Sequence, residues 1–389
     1  MKPTAEQLEI QALARDFAEG ELLPYTAGWD AARALDDDVF AKLGELGFMG
    51  MLVPEAHGGL GFDLTTYLRV LEELARGDGA VALSVAIHSG PVCGLIYALG
   101  TEDQKQRWLP RLASGDVLGA FALSEPDAGS DAGAMQVRAE PDAEGWRLTG
   151  VKRWVTNGAR AGVVIVFART DDEGGTGAFL VEPGTDGYRV VGEETTMGLR
   201  ASQTVTVELT DVHVGPEGLL GDSQRGFHAA LEALDVGRVG VAAQAVGIAR
   251  AAMEHATRYS MERKQFGRPI AKFGAVQAKL AEMAHRITGA RALTHLAGGA
   301  VQDARNGVGH PRTGPEGVTA LAAMSKLAAS EAATWVADEA VQVFGGYGYM
   351  RDYPVERLLR DAKGTEIYEG TNEIMRLVIA REAVRGSGA

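Results

Sequence analysis

Apolar residues recur at helical spacing through the first part of the chain. The stretch EQLEIQALARDFAEGEL places them three and four positions apart, and Pro24 follows its end. The segments VFAKLGELGFMGM and LTTYLRVLEELARGDGAVALSVAIHSG repeat this period, and EDQKQRWLPRLASGD starts with acids that complement a helix dipole. The pattern predicts an all-α domain over residues 1–117.

Between residues 118 and 224 the period changes to short runs rich in Val, Thr and aromatic residues. Gly, Asp or Pro bounds each run: WRLTGVKRWVTNG, AGVVIVFART, GAFLVEP, GYRVVGEET and TVTVELTDVHV. This pattern predicts an antiparallel sheet or small barrel, and we expect a β-barrel domain. None of these strands leads into a G-x-G-x-x-G turn and helix, which argues against a Rossmann dinucleotide site.

Long helical periods return over residues 225–389. Residues 226–262 and 273–304 form two segments, and a third, PEGVTALAAMSKLAASEAATWVADEAVQVFGG, has Pro315 in its expected first turn. VERLLRDAKG and NEIMRLVIAREAV form a fourth, divided segment. The expected C-terminal domain is a four-helix bundle, so the fold class is α+β and multidomain.

Composition narrows the function classes. The net charge of −14 argues against nucleic acid as a partner, because a phosphate-backbone binder needs a basic surface. The single cysteine, Cys93, excludes a disulfide framework within the chain and favours a reducing compartment. His57, His88 and His255 lack metal-ligand spacing, so we expect no metal site.

The first 24 residues are amphipathic and acidic, without the basic start and apolar run of a signal peptide. No uninterrupted apolar run reaches membrane-spanning length. We therefore expect no membrane insertion and a cytoplasmic location, in a prokaryotic cell.

The stretch EIYEGTNEIM, residues 366–375, has two interpretations. Glu366, Glu369 and Glu373 recur at spacings of three and four, as on a solvated acidic helix face. Alternatively, Gly370 interrupts the helix so that Glu369 points into a pocket as a general base. These ten residues alone favour the solvated face.

Five motifs, in order from the first helix to the last, carry a resemblance to a known family. They are LVPEAHGGLGFD (52–63), ALSEPDAGSDAGA (122–134), KRWVTNG (152–158), RKQFGRPI (263–270) and QVFGGYGYMRDYPVERLLRDAKGTEIYEGTNEIMR (342–376). With them, the chain resembles the acyl-CoA dehydrogenases. The resemblance implies a helical domain, a β-barrel and a helical bundle, one FAD per chain, a homotetramer, and electron transfer to an electron-transfer flavoprotein.

The implied reaction removes two hydrogens across Cα and Cβ of a fatty acyl-CoA thioester. Glu369 matches the family's base for the α-proton, the β-hydrogen passes as hydride to flavin N5, and the amide of Glu369 helps to bind the thioester carbonyl. Gly370 then lets the backbone approach the ligand. Some members carry the base on an earlier helix beside an arginine; here that position is Gly237, before Arg238, and no rival base is present.

The resemblance also implies a set of cofactor contacts. Those expected at the flavin ring are Phe121, Leu123, Ser124, Trp154 and Thr156, and those expected at the FAD of a neighbouring subunit are Arg263, Gln265, Phe266, Gln342 and Gly346. Thr371 and Glu373 match positions near the FAD of the same subunit, although several members carry glutamine where this chain has Glu373. Ser124 could equally serve turn chemistry, and Trp154 could be a core residue.

Substrate contacts are expected from Ser130, Arg200, Asp235, Arg238 and Gly370. Ser130 could also cap a turn, and Asp235 could lie on a solvated helix face. The helix around VALSVAIHSGPVCGLIYALG should form the pocket floor. Ile96 and Tyr97 there resemble short-chain and short-branched-chain members, which favours a short or medium acyl chain, although the small residues could also admit longer chains.

Three other interpretations compete. An acyl-CoA oxidase-like enzyme would share the base and reoxidise with O₂. A flavin monooxygenase of similar fold would lack the glutamate of IYEGT. A non-catalytic helical scaffold would not need Glu369 together with every flavin contact.

Overall fold

The computed structural model describes residues 3–171, 173–309 and 311–386. Helices make up the N-terminal region as expected. They are α1 (Ala5–Phe17), α2 (Thr26–Ala32), α3 (Val39–Glu45), α4 (Leu64–Gly77), α5 (Gly79–Ile87), α6 (Cys93–Leu99) and α7 (Glu102–Ala113).

Polar caps set several of these helix ends. Thr4 and Gln7 form a reciprocal capping box at the start of α1, and Thr101 and Gln104 form another at α7. The Asp78 carboxylate accepts from the first N–H groups of α5. A π-helical turn over His88–Val92 joins α5 to α6. Within the described residues, Gly79–Leu99 is the segment long and apolar enough to cross a membrane, and it is mostly buried inside the fold, as in the core helix of a globular protein.

The middle region is a mixed sheet. Its strands are β1 (Leu118–Ala122), β2 (Arg138–Asp142), β3 (Gly145–Val155), β4 (Ala161–Arg169), β5 (Thr176–Val181), β6 (Tyr188–Glu193), β7 (Val205–Val214) and β8 (Leu219–Leu220). The order is β6-β7-β3-β2-β4-β5-β8, and β1 pairs with β4.

The prediction of a closed antiparallel barrel is wrong in two respects. The end strands β6 and β8 do not pair, so the sheet is open, and β1 runs parallel to β4. Alternation along a strand reports which face is buried, but it contains no information about which strands lie at the edges. The mostly exposed β6 and the two-residue β8 are typical of edges.

Long helices return at the C-terminus: α8 (Gly226–Glu262), α9 (Gly274–Arg305), α10 (Val318–Phe344), α11 (Pro354–Thr365) and α12 (Asn372–Gly386), with the hairpin strands β9 (Lys264–Gln265) and β10 (Arg268–Pro269) after α8. The expected fourth helix is thus two helices joined by a turn. The expectation that Pro315 opens α10 is wrong, because extended Gly317 precedes its first residue, Val318.

The two helical regions share one core. Its largest buried cluster joins Leu71 of α4 to Val239 of α8 and Ala297 of α9, and it reaches Leu118 of the sheet. Phe121 and Tyr368 pack against this same cluster. The end of β1 and the turn after α11 are therefore positioned by a common hydrophobic core.

Candidate active site

The turn between α11 and α12 contains two consecutive residues with left-handed backbone geometry. Glu369 has φ +55° and Gly370 has φ +95°. Glycine adopts this geometry readily, whereas a residue with a Cβ is strained by about 1–2 kcal/mol. The helix is interrupted here, and the Glu369 carboxylate lies against Gly237 of α8.

Gly237 leaves the space that the carboxylate occupies. A Cβ placed on residue 237 would lie 2.5 Å from Oε2 of Glu369 and 3.0 Å from Oε1. Contacts this short do not occur between real side chains, so any larger residue at 237 would displace the carboxylate. A side chain at position 237 would therefore compete for the same space as the Glu369 carboxylate.

The Glu369 carboxylate is poised to accept a proton. Its Oε2 is buried, and within the described residues it has no hydrogen-bond partner. Burial raises the pKa of Glu369 to about 7, and the charges of Arg238 and Lys326 partly oppose this increase. A base with a pKa near neutrality suits proton abstraction at neutral pH.

The backbone N–H of Glu369 is also available. It donates to no acceptor in the part of the chain that the structure describes, whereas the neighbouring N–H of Tyr368 donates to the Gly364 carbonyl at 3.2 Å. An unpaired N–H next to a base is suited to binding a carbonyl oxygen on which negative charge develops.

Tyr368 fixes the chain just before the base. Its hydroxyl donates to Oε1 of Gln244 at 2.8 Å, and Nε2 of Gln244 donates to the Gly79 carbonyl at 2.8 Å. Gln244 is fully buried on α8. The turn is thus anchored to both α8 and the start of α5.

Asp235 and Arg238 form a buried ion pair on α8, with Nη1 of Arg238 3.1 Å from Oδ1 of Asp235. Thr319 donates to the other carboxylate oxygen at 3.1 Å. Asp235 therefore does not lie on a solvated helix face. Nε of Arg238 is buried without a partner in the described residues, and the charge of Arg238 acts on Glu369.

A second group of expected residues lies where β1 and β3 end. Trp154 has φ +58° and is 48% exposed, at an irregularity in the β3–β7 register between Lys152 and Val155. Bulges of this kind redirect side chains at functional sites. Arg153 donates its N–H to the Ser124 carbonyl at 2.9 Å, which joins the two strand ends. Trp154 is therefore not a buried core residue.

Leu123 is buried, whereas Phe121, Ser124 and Thr156 keep partial exposure beside it. A buried ion pair fixes the residues that follow β1. Nζ of Lys152 donates to Oε1 of Glu125 at 2.7 Å and to the Leu123 carbonyl at 2.8 Å. Burial lowers the pKa of Lys152 to about 8, and Glu125 partly opposes that decrease.

A third group lies at the far end of α8. The Arg263 guanidinium stacks over the Tyr347 ring with 5.3 Å to its centroid. Phe266 is 93% exposed with φ +51°, and Gln265, Gln342 and Gly346 are exposed as well. The recorded side-chain contacts of Arg263 and Phe266 stay within the C-terminal region.

The remaining expected residues are dispersed. Ser130 is exposed in its loop, and Arg200 pairs with Asp30 of α2 at 3.5 Å. Thr371 precedes α12 and accepts weakly from the Ile374 N–H at 3.4 Å. Glu373 is exposed in the first turn of α12, where hydrogen bonds from its own N–H and from Thr371 lower its pKa. An acid at a helix start needs no ligand to explain it.

Models of three domains of one family match successive parts of the chain. The acyl-CoA dehydrogenase N-terminal domain matches residues 4–116, the middle domain 120–212 and the C-terminal domain 224–384. The chain belongs to the acyl-CoA dehydrogenase family. Similar curated relatives are an acyl-CoA dehydrogenase of Bacillus subtilis, 43% identical over the full length of both chains, and the mitochondrial short-chain specific acyl-CoA dehydrogenase of Bos taurus, 42% identical over 97% of this chain and 90% of the relative.

Solved structures of this family agree with the fold. Butyryl-CoA dehydrogenase from Megasphaera elsdenii is 40% identical, with a TM-score of 0.92 over 98% of each chain. A chain in a structure of the electron transferring flavoprotein of Acidaminococcus fermentans is 42% identical, with a TM-score of 0.93 over 98% of each chain. A glutaryl-CoA dehydrogenase from Mycobacterium smegmatis, solved in complex with FADH2, is 31% identical, with a TM-score of 0.90 over 97% of this chain and 94% of that one.

The residues at the ends of β1 and β3 fit a flavin. The Trp154 ring is exposed on a strained backbone beside partly exposed Ser124 and Thr156, so it offers an aromatic face next to polar groups. Flavin rings need both kinds of contact. The cluster around Arg263 offers a guanidinium and glycine backbone, which suit a pyrophosphate.

Sequence reasoning missed two lysines that are buried in the described part of the chain, Lys152 and Lys326. Lys326 is fully buried on α10, where Nζ donates to the Gly370 carbonyl at 2.8 Å and to Oδ1 of Asn372 at 2.9 Å. The available signal was a lysine as the one charged residue in the run ALAAMSKLAAS, since a buried charge needs partners. Lys152 gave a weaker signal, because another charged residue, Arg153, follows it directly in β3.

Proposed function

We propose that this chain is an FAD-dependent dehydrogenase that converts a short-chain fatty acyl-CoA to its trans-2-enoyl-CoA. The observation that carries the proposal is the buried, unpartnered Oε2 of Glu369, on a strained turn beside an available N–H. The short-chain assignment is supported by the short-chain specific and butyryl-CoA relatives. Medium-chain thioesters are the next candidates.

In this proposal Glu369 removes the α-proton of the bound thioester. The N–H of Glu369 donates to the thioester carbonyl, where negative charge develops as the proton leaves. The left-handed turn and the anchored Tyr368 fix the carboxylate against α8, so the base needs no rearrangement. FAD, when bound, supplies the acceptor for the β-hydride, and Phe121, Leu123, Ser124, Trp154 and Thr156 would hold its ring.

Arg238 has a supporting role. Its charge lowers the pKa of Glu369 against the effect of burial, and Asp235 holds Arg238 in place. Electrons would then pass to an electron-transfer flavoprotein, which the similarity to a chain from the Acidaminococcus fermentans structure supports.

A panel of saturated acyl-CoA thioesters tests the reaction and the chain length together. Mixed anaerobically with the FAD-loaded protein, butyryl-CoA should bleach the flavin absorbance fastest, and the rate should fall as the chain lengthens. Failure of every thioester to bleach the flavin would reject a dehydrogenase.

Admitting air after bleaching separates this enzyme from an oxidase. Reoxidation should be slow, because bound enoyl product and a closed site shield the reduced flavin. Fast reoxidation with release of peroxide would assign an acyl-CoA oxidase instead.

A second prediction concerns assembly. We propose a homotetramer in which Arg263, Gln265, Phe266, Gln342 and Gly346 contact the FAD of a neighbouring subunit. The 93% exposure of Phe266 supports this, because a phenylalanine is rarely left so open. Arg263→Ala should therefore lower both FAD retention and tetramer stability, which are linked by mass action.

Arg268→Ala is the matched control. Arg268 lies in the same hairpin and stacks on Phe273 at 4.3 Å within one chain. Flavin absorbance after gel filtration and sedimentation velocity should change for Arg263→Ala and remain unchanged for Arg268→Ala. A monomer that retains FAD normally would contradict the proposal.

A further inference from the structure

Lys326 places a charged group directly behind the turn that carries Glu369. The side chain has no exposed surface, and its two recorded hydrogen bonds go to the Gly370 carbonyl and to Oδ1 of Asn372. Burying an ammonium is costly unless its N–H groups are bonded. Lys326 is therefore tied to the backbone that follows Glu369.

The hydrogen bonds of Lys326 reach the part of the turn that follows the strained residue Glu369. Gly370 O is the first carbonyl after Glu369, and Asn372 is the first residue of α12. The Asn372 N–H donates to the Glu366 carbonyl at 2.9 Å, which closes the turn on its other side. Lys326 thus bonds to Gly370 and Asn372, the first and third residues after the left-handed glutamate.

The charge of Lys326 is also exerted on Glu369. The titratable groups that act on the Glu369 carboxylate or feel its charge are Arg238 from α8, Lys326 from α10, Tyr67 from α4 and the adjacent Tyr368. Arg238 is already paired with Asp235. The hydrogen-bond partners of Lys326 are neutral, so its charge is not cancelled by a direct ion pair in the described residues.

Both groups titrate near neutrality. Burial lowers the pKa of Lys326 to about 7; the charges of Glu369, Glu366 and Glu373 partly oppose that decrease, and Arg238 adds to it. The interaction between Lys326 and Glu369 also lowers the pKa of Glu369 against its burial. Loss of the lysine charge therefore disfavours the ionised glutamate, which is the form that accepts a proton.

We propose that Lys326 is a positioning residue for the reaction, which fixes the Glu369–Gly370 turn through the Gly370 carbonyl and favours the ionised form of Glu369. The inference rests on the proposed function for the role of Glu369 as base. Lys326 acts through the turn and touches no reacting atom.

Two substitutions separate the two effects. Lys326→Gln removes the charge and keeps a donor for the Gly370 carbonyl, whereas Lys326→Met removes both. The acid limb is the part of the pH profile where the rate of flavin bleaching falls as the pH decreases. In both variants this limb should shift to a pH about one unit higher, so that the reaction at pH values below the limb is about tenfold slower. On the high-pH plateau, Lys326→Met should also bleach the flavin more slowly than Lys326→Gln, because no side chain then donates to the Gly370 carbonyl and holds the turn.

Ser330→Ala is the matched control on the same helix. The Ser330 hydroxyl donates to the same Asn372 Oδ1 at 3.1 Å but carries no charge. Its pH profile should match that of the wild type. Infrared titration of the Glu369 carboxyl group, assigned by subtracting the Glu369→Gln spectrum, measures the same pH shift without turnover.

The outcomes are distinct. The proposal is overturned if both Lys326 variants keep the acid limb and the infrared titration of the wild type. It is also overturned if neither variant folds, because Lys326 would then serve the fold alone. Failure of the proposed function would instead appear as normal bleaching by Glu369→Gln, while the infrared titration would still report on Lys326.

Discussion

Glu369→Gln should slow anaerobic bleaching of the flavin by about 10⁴-fold with a good acyl-CoA substrate. General-base removal costs about 10² to 10⁴ in rate, and the burial of Oε2, which limits access of water to the same position, favours the upper end. Glutamine keeps the shape of the side chain but accepts no proton at neutral pH. FAD content and thioester binding should persist, because the turn and its N–H are unchanged.

The pH dependence of the wild type should follow the same carboxylate. Burial raises the pKa of Glu369 to about 7. A base must be deprotonated to act, so the rate should fall as the pH drops below about 7 and level off above it.

Glu366→Gln is the control for the loss of a carboxylate in this turn. Glu366 is partly exposed and pairs with Lys363 at 2.6 Å. Its bleaching rate should remain within a few-fold of the wild type. Bleaching by Glu369→Gln at nearly the wild-type speed would mean that another group is the base and that EIYEGTNEIM is a solvated acidic turn after all.

The sequence predicted the order of helical, sheet and helical regions because the hydrophobic period changes from 3.6 to 2 and back. It left the interruption at Gly370 open, because the residues of EIYEGTNEIM alone favoured a solvated helix face and only the resemblance to the family reversed that interpretation. It did not predict that Glu369 itself adopts this geometry, because nothing local favours a strained glutamate. Tertiary contacts from Tyr368 and Lys326 hold it there.

The open edges of the sheet and the buried lysines could not be predicted from the sequence, for a related reason. Strand alternation and helical periodicity record which face is buried, whereas edges and ion partners depend on which distant segments meet. Lys152 meets Glu125 across 27 positions, and Lys326 meets Gly370 across 44. The resemblance to the family placed Glu369 correctly in a turn, but it gave no information on what supports that turn.

Gly237→Ala should reduce the bleaching rate strongly without weakening the fold. The new methyl group would lie 2.5 Å from Oε2 of Glu369, and the atom most able to move is the end of that flexible side chain. The carboxylate should therefore swing away from its position on α8. A displacement of about 1 Å can cost about 10²-fold in rate, and a larger one more.

The stability of the Gly237→Ala variant should stay the same or increase, although its bleaching rate falls. Position 237 lies inside the long helix α8, where alanine is favoured over glycine by about 1 kcal/mol. The thermal midpoint should be equal to or above that of the wild type, so a loss of rate would not result from unfolding. FAD content should be unchanged, because Gly237 contacts the base and no residue expected at the flavin ring.

Gly240→Ala is the matched control, one helical turn further along α8. Its methyl group would lie 3.4 Å from the Tyr67 hydroxyl and 3.7 Å from Leu71, which are ordinary contact distances or close to them. It receives the same gain in helix propensity but does not approach Glu369, so its bleaching rate should stay near that of the wild type. Equal losses in both variants would point to a general effect on α8, whereas full activity of Gly237→Ala would mean that the active carboxylate lies elsewhere. A selective loss at position 237 would instead show that the space left by Gly237 is needed for the Glu369 carboxylate.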